Sequence, residues 1–259
     1  MTDTTRAAPV AGGRDEWSPR ILPPVPELSE RQKLACAFRI LARSGFTENI
    51  SGHITMRHPD SHDLWVNPWG LWWDEIKSSD LCRVDADAKV VEGKWDVTPA
   101  IHIHTELHRR RSDAAVVIHN HPYHVTVLAA LGLVPEMVHQ TTAMFDADMA
   151  FVEEYTGEVA TADLGAELAE AVGDKSVVIL ANHGVIVTGA SVEEATYRAA
   201  TVDRQCRIMY DVVTSGRPYR LLPASFLGPM KRSLIERGPD YFWGGAVRML
   251  LRHEPEVLD

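Results

Sequence analysis

Two short aliphatic runs stand out along this chain, Val116-Val117-Ile118 and Val177-Val178-Ile179-Leu180. Runs this short and β-branched predict buried strands rather than helices. Elsewhere the apolar positions recur at helical spacing. Leu34, Phe38 and Leu41 share one face, and Ser29-Glu30-Arg31-Gln32 ahead of them is a capping-box pattern, so a helix starts there and Gly45 ends it. Short strands are expected over 50–57 and 64–67, with Pro68-Trp69-Gly70 as a turn, and a polar hairpin over 81–92 turns at Asp85-Ala86-Asp87. Thr98-Pro99 reads as an N-cap followed by proline at the first helical position, which predicts a helix to about Arg110. Pro122 in the same role starts a short helix over 122–130, stopped by Gly132. Asp163 is expected to cap a helix reaching Val172, and Gly184 turns the second aliphatic run into Val185-Ile186-Val187. Ser191-Val192-Glu193-Glu194 is another capping box and opens a long helix to about Thr214. Residues 223–253 read as two helices, with Pro239 starting the second. Residues 1–27 are rich in Pro, Gly and Arg and lack periodicity, which predicts a flexible arm before a single domain over 28–259. Strands and helices alternate with hairpin-like joins, so the expected fold is α/β of the α+β type: a mixed sheet covered by helices.

Composition narrows the partners more than the fold. Of 259 residues, 45% are apolar and 24% charged, ordinary values for a globular enzyme-sized domain. A net charge of −10 argues against a nucleic-acid or anionic-membrane partner and leaves a small-molecule substrate. The basic run Arg109-Arg110-Arg111 follows a predicted helix, where it suits the C-terminal end. No apolar stretch approaches a membrane span, and the opening residues carry no signal-peptide pattern, so the expected location is the cytosol. Cys36, Cys82 and Cys206 are an odd, scattered set that points to core packing rather than disulfides.

The chemistry concentrates at the ends of the two aliphatic runs. The first ends in His119-Asn120-His121. Strand side chains alternate between faces, so His119 and His121 point to the same side. The second run ends in Asn182-His183-Gly184, about sixty residues further on. Three imidazoles with one position left open form a catalytic metal arrangement, and imidazole suits zinc, iron and copper. A neutral ligand histidine needs its other nitrogen held by a hydrogen bond, for which Asn120 and Asn182 are candidates.

The histidines in this order resemble the class II aldolase/adducin family. Gly52-His53-Ile54-Thr55 is similar to that family's early substrate-loop strand, and Val66-Asn67-Pro68-Trp69-Gly70 to its next loop. The helix carrying His104, the His119-Asn120-His121 strand and Asn182-His183-Gly184 follow in family order, so the resemblance covers roughly residues 30 to 215. It implies a three-layer fold with a central, mainly antiparallel sheet flanked by helices, and homo-oligomers, usually tetramers with active sites between subunits. It also implies one divalent metal ion per subunit held by His119, His121 and His183, with zinc the first choice and iron or manganese able to share the ligands. Gly52, His53, Asn67, Trp69 and Gly70 would contact substrate. Gln140 falls where relatives place an acid–base or substrate-contacting group, and Tyr123 directly follows the ligand pair.

The chain departs from the sugar-phosphate aldolases of that family at several positions. Their catalytic glutamate is matched by Ala100, four residues before His104. Their hydroxyl- and glycine-rich phosphate loops are matched here by His53, Trp69-Gly70 and Thr98-Pro99. Trp65, Trp69, Trp72 and Trp73 are four of the seven tryptophans, and an indole offers a flat apolar surface in place of polar donors. A hydroxylated aromatic or otherwise apolar carboxylic acid is therefore the expected substrate class. The proton must come from another group, and the helix offers His104, which would face the same way as Ala100, then His102 and Glu106. The leading expectation is a metal-dependent carbon–carbon lyase, a decarboxylase or retro-aldolase in which an enolate-type intermediate is stabilised. Two alternatives share the resemblance: a non-heme iron oxygenase of an aromatic 2-oxo or 2-hydroxy acid, and a non-catalytic module similar to the adducin head.

Overall fold

The computed structural model describes residues 23–153 and 157–259. Most of the arm expected over 1–27 lies outside the described residues. The chain opens with helix α1 (Glu30–Arg43), where the Ser29 hydroxyl and Gln32 side chain form the expected capping box. Strands β1 (His53–Arg57) and β2 (Leu64–Val66) are followed by the hairpin of β3 (Cys82–Val84) and β4 (Val90–Glu92). A 3₁₀ turn (Pro99–Ile101) leads into α2 (His102–Arg110), and β5 (Val116–Asn120) carries the first aliphatic run into α3 (Tyr123–Leu131). Then come β6 (Met149–Val152), α4 (Ala162–Val172), β7 (Val177–Leu180), β8 (Val185–Gly189), α5 (Val192–Thr214) and α6 (Ala224–Leu251).

The strands form one sheet in the order β4-β3-β2-β1-β5-β8-β7-β6. Every neighbouring pair is antiparallel except β6 and β7, which run parallel. Alternation along the strands divides the interior into two layers. Ile54, Met56, Val116, Ile118, Val177 and Ile179 face a core shared with α1, α3, α5 and α6. Val117, Val178, Leu180 and Ile186 face a second core built with Ile103 and Leu107 of α2 and Ala169 and Val172 of α4. The sheet between two helical layers is the mixed, mainly antiparallel α/β architecture expected. All three cysteines are buried and unpaired, as packing residues. Among the described residues no helix is long and apolar enough to cross a membrane.

Several local expectations need correction. The first strand starts at His53 rather than at residue 50, because the preceding residues turn, with Asn49 and Gly52 both at positive φ. Pro122 sits at the N-cap of α3 with ψ 141°, one position earlier than expected. Thr161, not Asp163, caps α4, its hydroxyl accepting from the Leu164 amide. The carbonyls at the end of α2 are capped not by its own arginine run but by Arg57 of β1, which donates to His108 O and Arg111 O. Residues 224–251 form one helix with Pro229 and Pro239 inside it. Proline removes one helical hydrogen bond, but packing against α5 holds the axis together: Gly238 lies so close to the Tyr197 ring that a Cβ there would sit 2.4 Å from it. Strand β6 had no clear signal, since four residues pair only because β7 lies alongside them.

Candidate metal centre

β1 and β5 are paired in a register that sets His53 opposite His119 and Thr55 opposite Val117. These residues share the sheet face toward α2, so the two imidazoles stand side by side, 5.4 Å between ring centroids. His121 follows where β5 ends, and His183 arrives from the turn between β7 and β8. The rings of His119, His121 and His183 lie 4.7–5.0 Å apart, centroid to centroid. One nitrogen from each can be chosen so that all lie within 4.8 Å of one another.

The donor set fits a cation. His119 Nδ1–H donates to the Val185 carbonyl at 3.1 Å, and His121 Nδ1–H donates to the Glu48 carboxylate. Both rings are thereby held as Nδ1–H tautomers, and their Nε2 lone pairs face each other at 3.3 Å. Opposed lone pairs repel unless a positive charge lies between them. A separation of about 3.3 Å is also what a tetrahedron with metal–nitrogen bonds of about 2.0–2.1 Å requires. Burial and the neighbouring imidazoles lower the pKa of His119 well below its usual value and bring that of His183 to about 4. His119 and His183 are thus neutral near pH 7, the form that ligates.

The supports differ from those the sequence suggested. Asn120 does not touch a ligand imidazole through its side chain: it accepts from the His121 backbone amide at 2.7 Å and donates to Ser51 O at 3.1 Å, which shapes the turn. Asn182 adopts φ 53°, the left-handed conformation of the β7–β8 turn. The Val185 carbonyl holds His119 and Glu48 holds His121. Glu48 could not be read from local pattern, because it precedes the first strand by five residues and meets His121 only through the β1–β5 pairing. Replacing Glu48 with glutamine is expected to weaken metal binding about 10- to 100-fold, measured by competition with a chromophoric chelator; unchanged affinity would show that the carboxylate does not orient His121.

A cavity of about 340 Å³ opens beside these rings. Gly52, His53, Asn67 and Trp69 line it, with Ile50, Ile103, Val159 and Ala100 as apolar wall and Ser51, Thr98, Gly157 and Glu158 as the other described lining residues beside the three ligand rings. Among the described lining residues there is no lysine or arginine. Gly52 is required there: at φ +90° a Cβ would sit 2.2 Å from Asn120 Nδ2. Of the four clustered tryptophans, Trp69 is exposed at the cavity mouth, whereas Trp65 and Trp73 belong to the core. Gly70, Tyr123 and Gln140 are exposed and do not line the cavity.

His102, His104 and Glu106 do not line it either. Ala100 sits in the 3₁₀ turn, which winds at about three residues per turn rather than 3.6, so the residue four along no longer shares its direction. His104 is instead completely buried beneath His53. Its Nε2 lies 2.9 Å from His53 Nδ1, and its Nδ1 lies 2.7 Å from the Thr55 hydroxyl. Thr55 continues to His108 Nε2 at 2.8 Å, and His108 Nδ1 reaches the Ala114 carbonyl at 2.9 Å. Glu106 is paired with Arg109 at 2.6 Å on the far side of the helix.

Burial lowers the pKa of His53 and His108 to about 3 each, and that of His104 well below its usual value. For His108 this makes stability depend on pH. The unfolded chain takes up a proton near pH 6.5 that the folded chain refuses until about pH 3, so stability is full above 6.5 and falls as the pH drops through that window. Urea midpoints measured between pH 6.5 and 4 are expected to fall more steeply for the parent than for His108→Gln, by up to about 1.4 kcal/mol per pH unit. Parallel slopes would show that His108 is not the buried neutral group.

The chain has clear relatives. The sequence model of the Class II Aldolase and Adducin N-terminal domain family matches residues 32–210. The decarboxylase NovR of Streptomyces niveus is 30% identical over 226 residues, covering 80% of this chain and 84% of NovR. The 3,4-dihydroxyphthalate decarboxylase of Arthrobacter keyseri is 31% identical over 222 residues, covering 81% of this chain and 87% of that enzyme. Among solved structures, an aldolase II superfamily protein from Pseudomonas syringae superposes with a TM-score of 0.80 at 28% identity, covering 89% of this chain and 95% of that one. Fold, residue order and matched length agree, and the chain belongs to the class II aldolase and adducin N-terminal domain family.

Proposed function

We propose that this protein is a metal-dependent lyase that decarboxylates a hydroxylated aromatic carboxylic acid, with His119, His121 and His183 holding the metal. The observation that carries the reading is the wall around the three imidazoles: Trp69, Ile50, Ile103 and Val159 offer apolar surface, and no lysine or arginine stands among the described lining residues. Where the sugar-phosphate aldolases carry hydroxyl- and glycine-rich phosphate loops, this wall presents His53 and Trp69, which offer an aromatic ring an indole face in place of phosphate donors. Two relatives that bear the name decarboxylase, each about 30% identical over most of both chains, support the same class of reaction.

A divalent cation bound by the three imidazoles supplies a Lewis acid for negative charge developing on substrate oxygens. The rest falls to the side chains. Val185 O and Glu48 keep two ligand rings aimed inward. Trp69 covers one side of the ring-binding space, and the aliphatic wall excludes water from the bond that breaks. Among the described residues, His53 and Glu158 are the titratable lining groups not assigned to the metal.

The test is carbon dioxide release by zinc-, manganese- and ferrous-loaded protein from a panel of hydroxylated benzoic acids and 3,4-dihydroxyphthalate, beside a sugar phosphate. Stoichiometric carbon dioxide from at least one aromatic acid, without oxygen consumption, is the expected result. Oxygen uptake by iron-loaded protein, or cleavage of the sugar phosphate alone, would overturn it.

A further inference from the structure

We propose that a hydrogen-bond chain through His104, Thr55 and His108 fixes the tautomer of His53 at the cavity, with its hydrogen on Nδ1. The effect on turnover rests on the lyase reading above; the arrangement of hydrogens rests on donor counting alone.

The count starts at the Ala114 carbonyl, which can only accept. His108 Nδ1, 2.9 Å away, therefore carries a hydrogen, and the neutral ring has a lone pair at Nε2. Thr55 has one hydrogen to give, and it must go to that lone pair at 2.8 Å. The Thr55 oxygen is then left to accept from His104 Nδ1–H at 2.7 Å. His104, whose ring also meets the Val117 backbone, becomes an acceptor at Nε2, and its partner there among the described residues is His53 Nδ1–H at 2.9 Å. Reversing any one link sets two hydrogens or two lone pairs against each other at under 3 Å somewhere in the chain. His53 lines the cavity, and its remaining nitrogen, Nε2, has no hydrogen. A carbonyl in the connection between α2 and β5 thus decides the tautomer at the site.

His104, Thr55 and His108 are positioning residues, because none of them lines the cavity.

Long-range ¹H–¹⁵N spectra of the ¹⁵N-histidine-labelled, zinc-loaded protein read the tautomers directly. The expected result is a hydrogen on Nδ1 and none on Nε2 for each of His53, His104 and His108. A hydrogen on Nε2 of His53 or His104 overturns the proposal. Thr55→Val, which breaks the chain in the middle, is expected to shift these tautomers and lower kcat about 10-fold or more, with KM and zinc content unchanged. Thr55→Ser is expected to restore both. Full kcat in Thr55→Val refutes the positioning role. Should the parent release no carbon dioxide from any acid, the lyase reading fails, while the spectra still decide the hydrogen-bond chain.

Discussion

His183→Ala is expected to leave the protein folded but without measurable bound metal after dialysis, and to lower turnover by about 10³-fold or more, the scale of a Lewis-acid contribution of several kcal/mol. His183 is the informative choice among the three imidazoles. It sits half-buried in the turn between β7 and β8, whereas His119 is buried in the sheet and its loss would also leave a cavity. Two nitrogens remain in the variant, with their lone pairs still opposed at 3.3 Å, but the third corner of the coordination face is gone. Elemental analysis gives metal per subunit, and the carbon dioxide assay gives turnover. Near-stoichiometric metal with full activity would remove His183 from the site and overturn the three-imidazole centre.

Gly184→Ala is expected to be as damaging by a different route. The backbone at Gly184 is not in the left-handed region, so alanine meets no conformational penalty there. The added carbon would instead lie 2.4 Å from Asn120 O and 2.6 Å from His121 Cδ2. Neither neighbour can give way cheaply. Asn120 pairs with Val185 in the β5–β8 ladder, and the His121 ring is held by Glu48. The methyl must therefore open the strand ends or turn a ligand imidazole away. The expected loss is about 2–3 kcal/mol, read as a fall in Tm of roughly 5–10 °C for a domain of this size. Metal affinity should fall with it. A variant with unchanged Tm and metal content would show that the turn relaxes freely and that the close approach is not needed.

How much of this was legible depends on the range over which each feature is encoded. The capping box at Ser29, the Ser191 N-cap and the placement of His119 and His121 on one side follow from three or four consecutive residues and are present, although the box expected at Ser191 is not closed, since the Glu194 carboxylate accepts from the Ala190 amide instead. The family order of His104, His119-Asn120-His121 and His183 could likewise be read along the chain. The acid–base assignment could not. It assumed that Ala100 and His104 share a helical face, and the 3₁₀ turn at Pro99–Ile101 rotates them apart. The amides of Asn120 and Asn182 are adjacent to the ligands in sequence, whereas the groups that hold His119 and His121 are the Val185 carbonyl and Glu48.

The sequence by itself determined most of the strands, the capped helix starts at Ser29 and Ser191 and the imidazoles at the strand ends, because periodicity and capping are properties of neighbouring residues. Only the tertiary structure decided that His53 stands beside His119, that Glu48 reaches His121, and that His104 lies beneath the site rather than in it. Those relations depend on the register between β1 and β5 and on the rotation of α2 over the sheet. Both are set by the packing of the whole core, which no short window of residues contains.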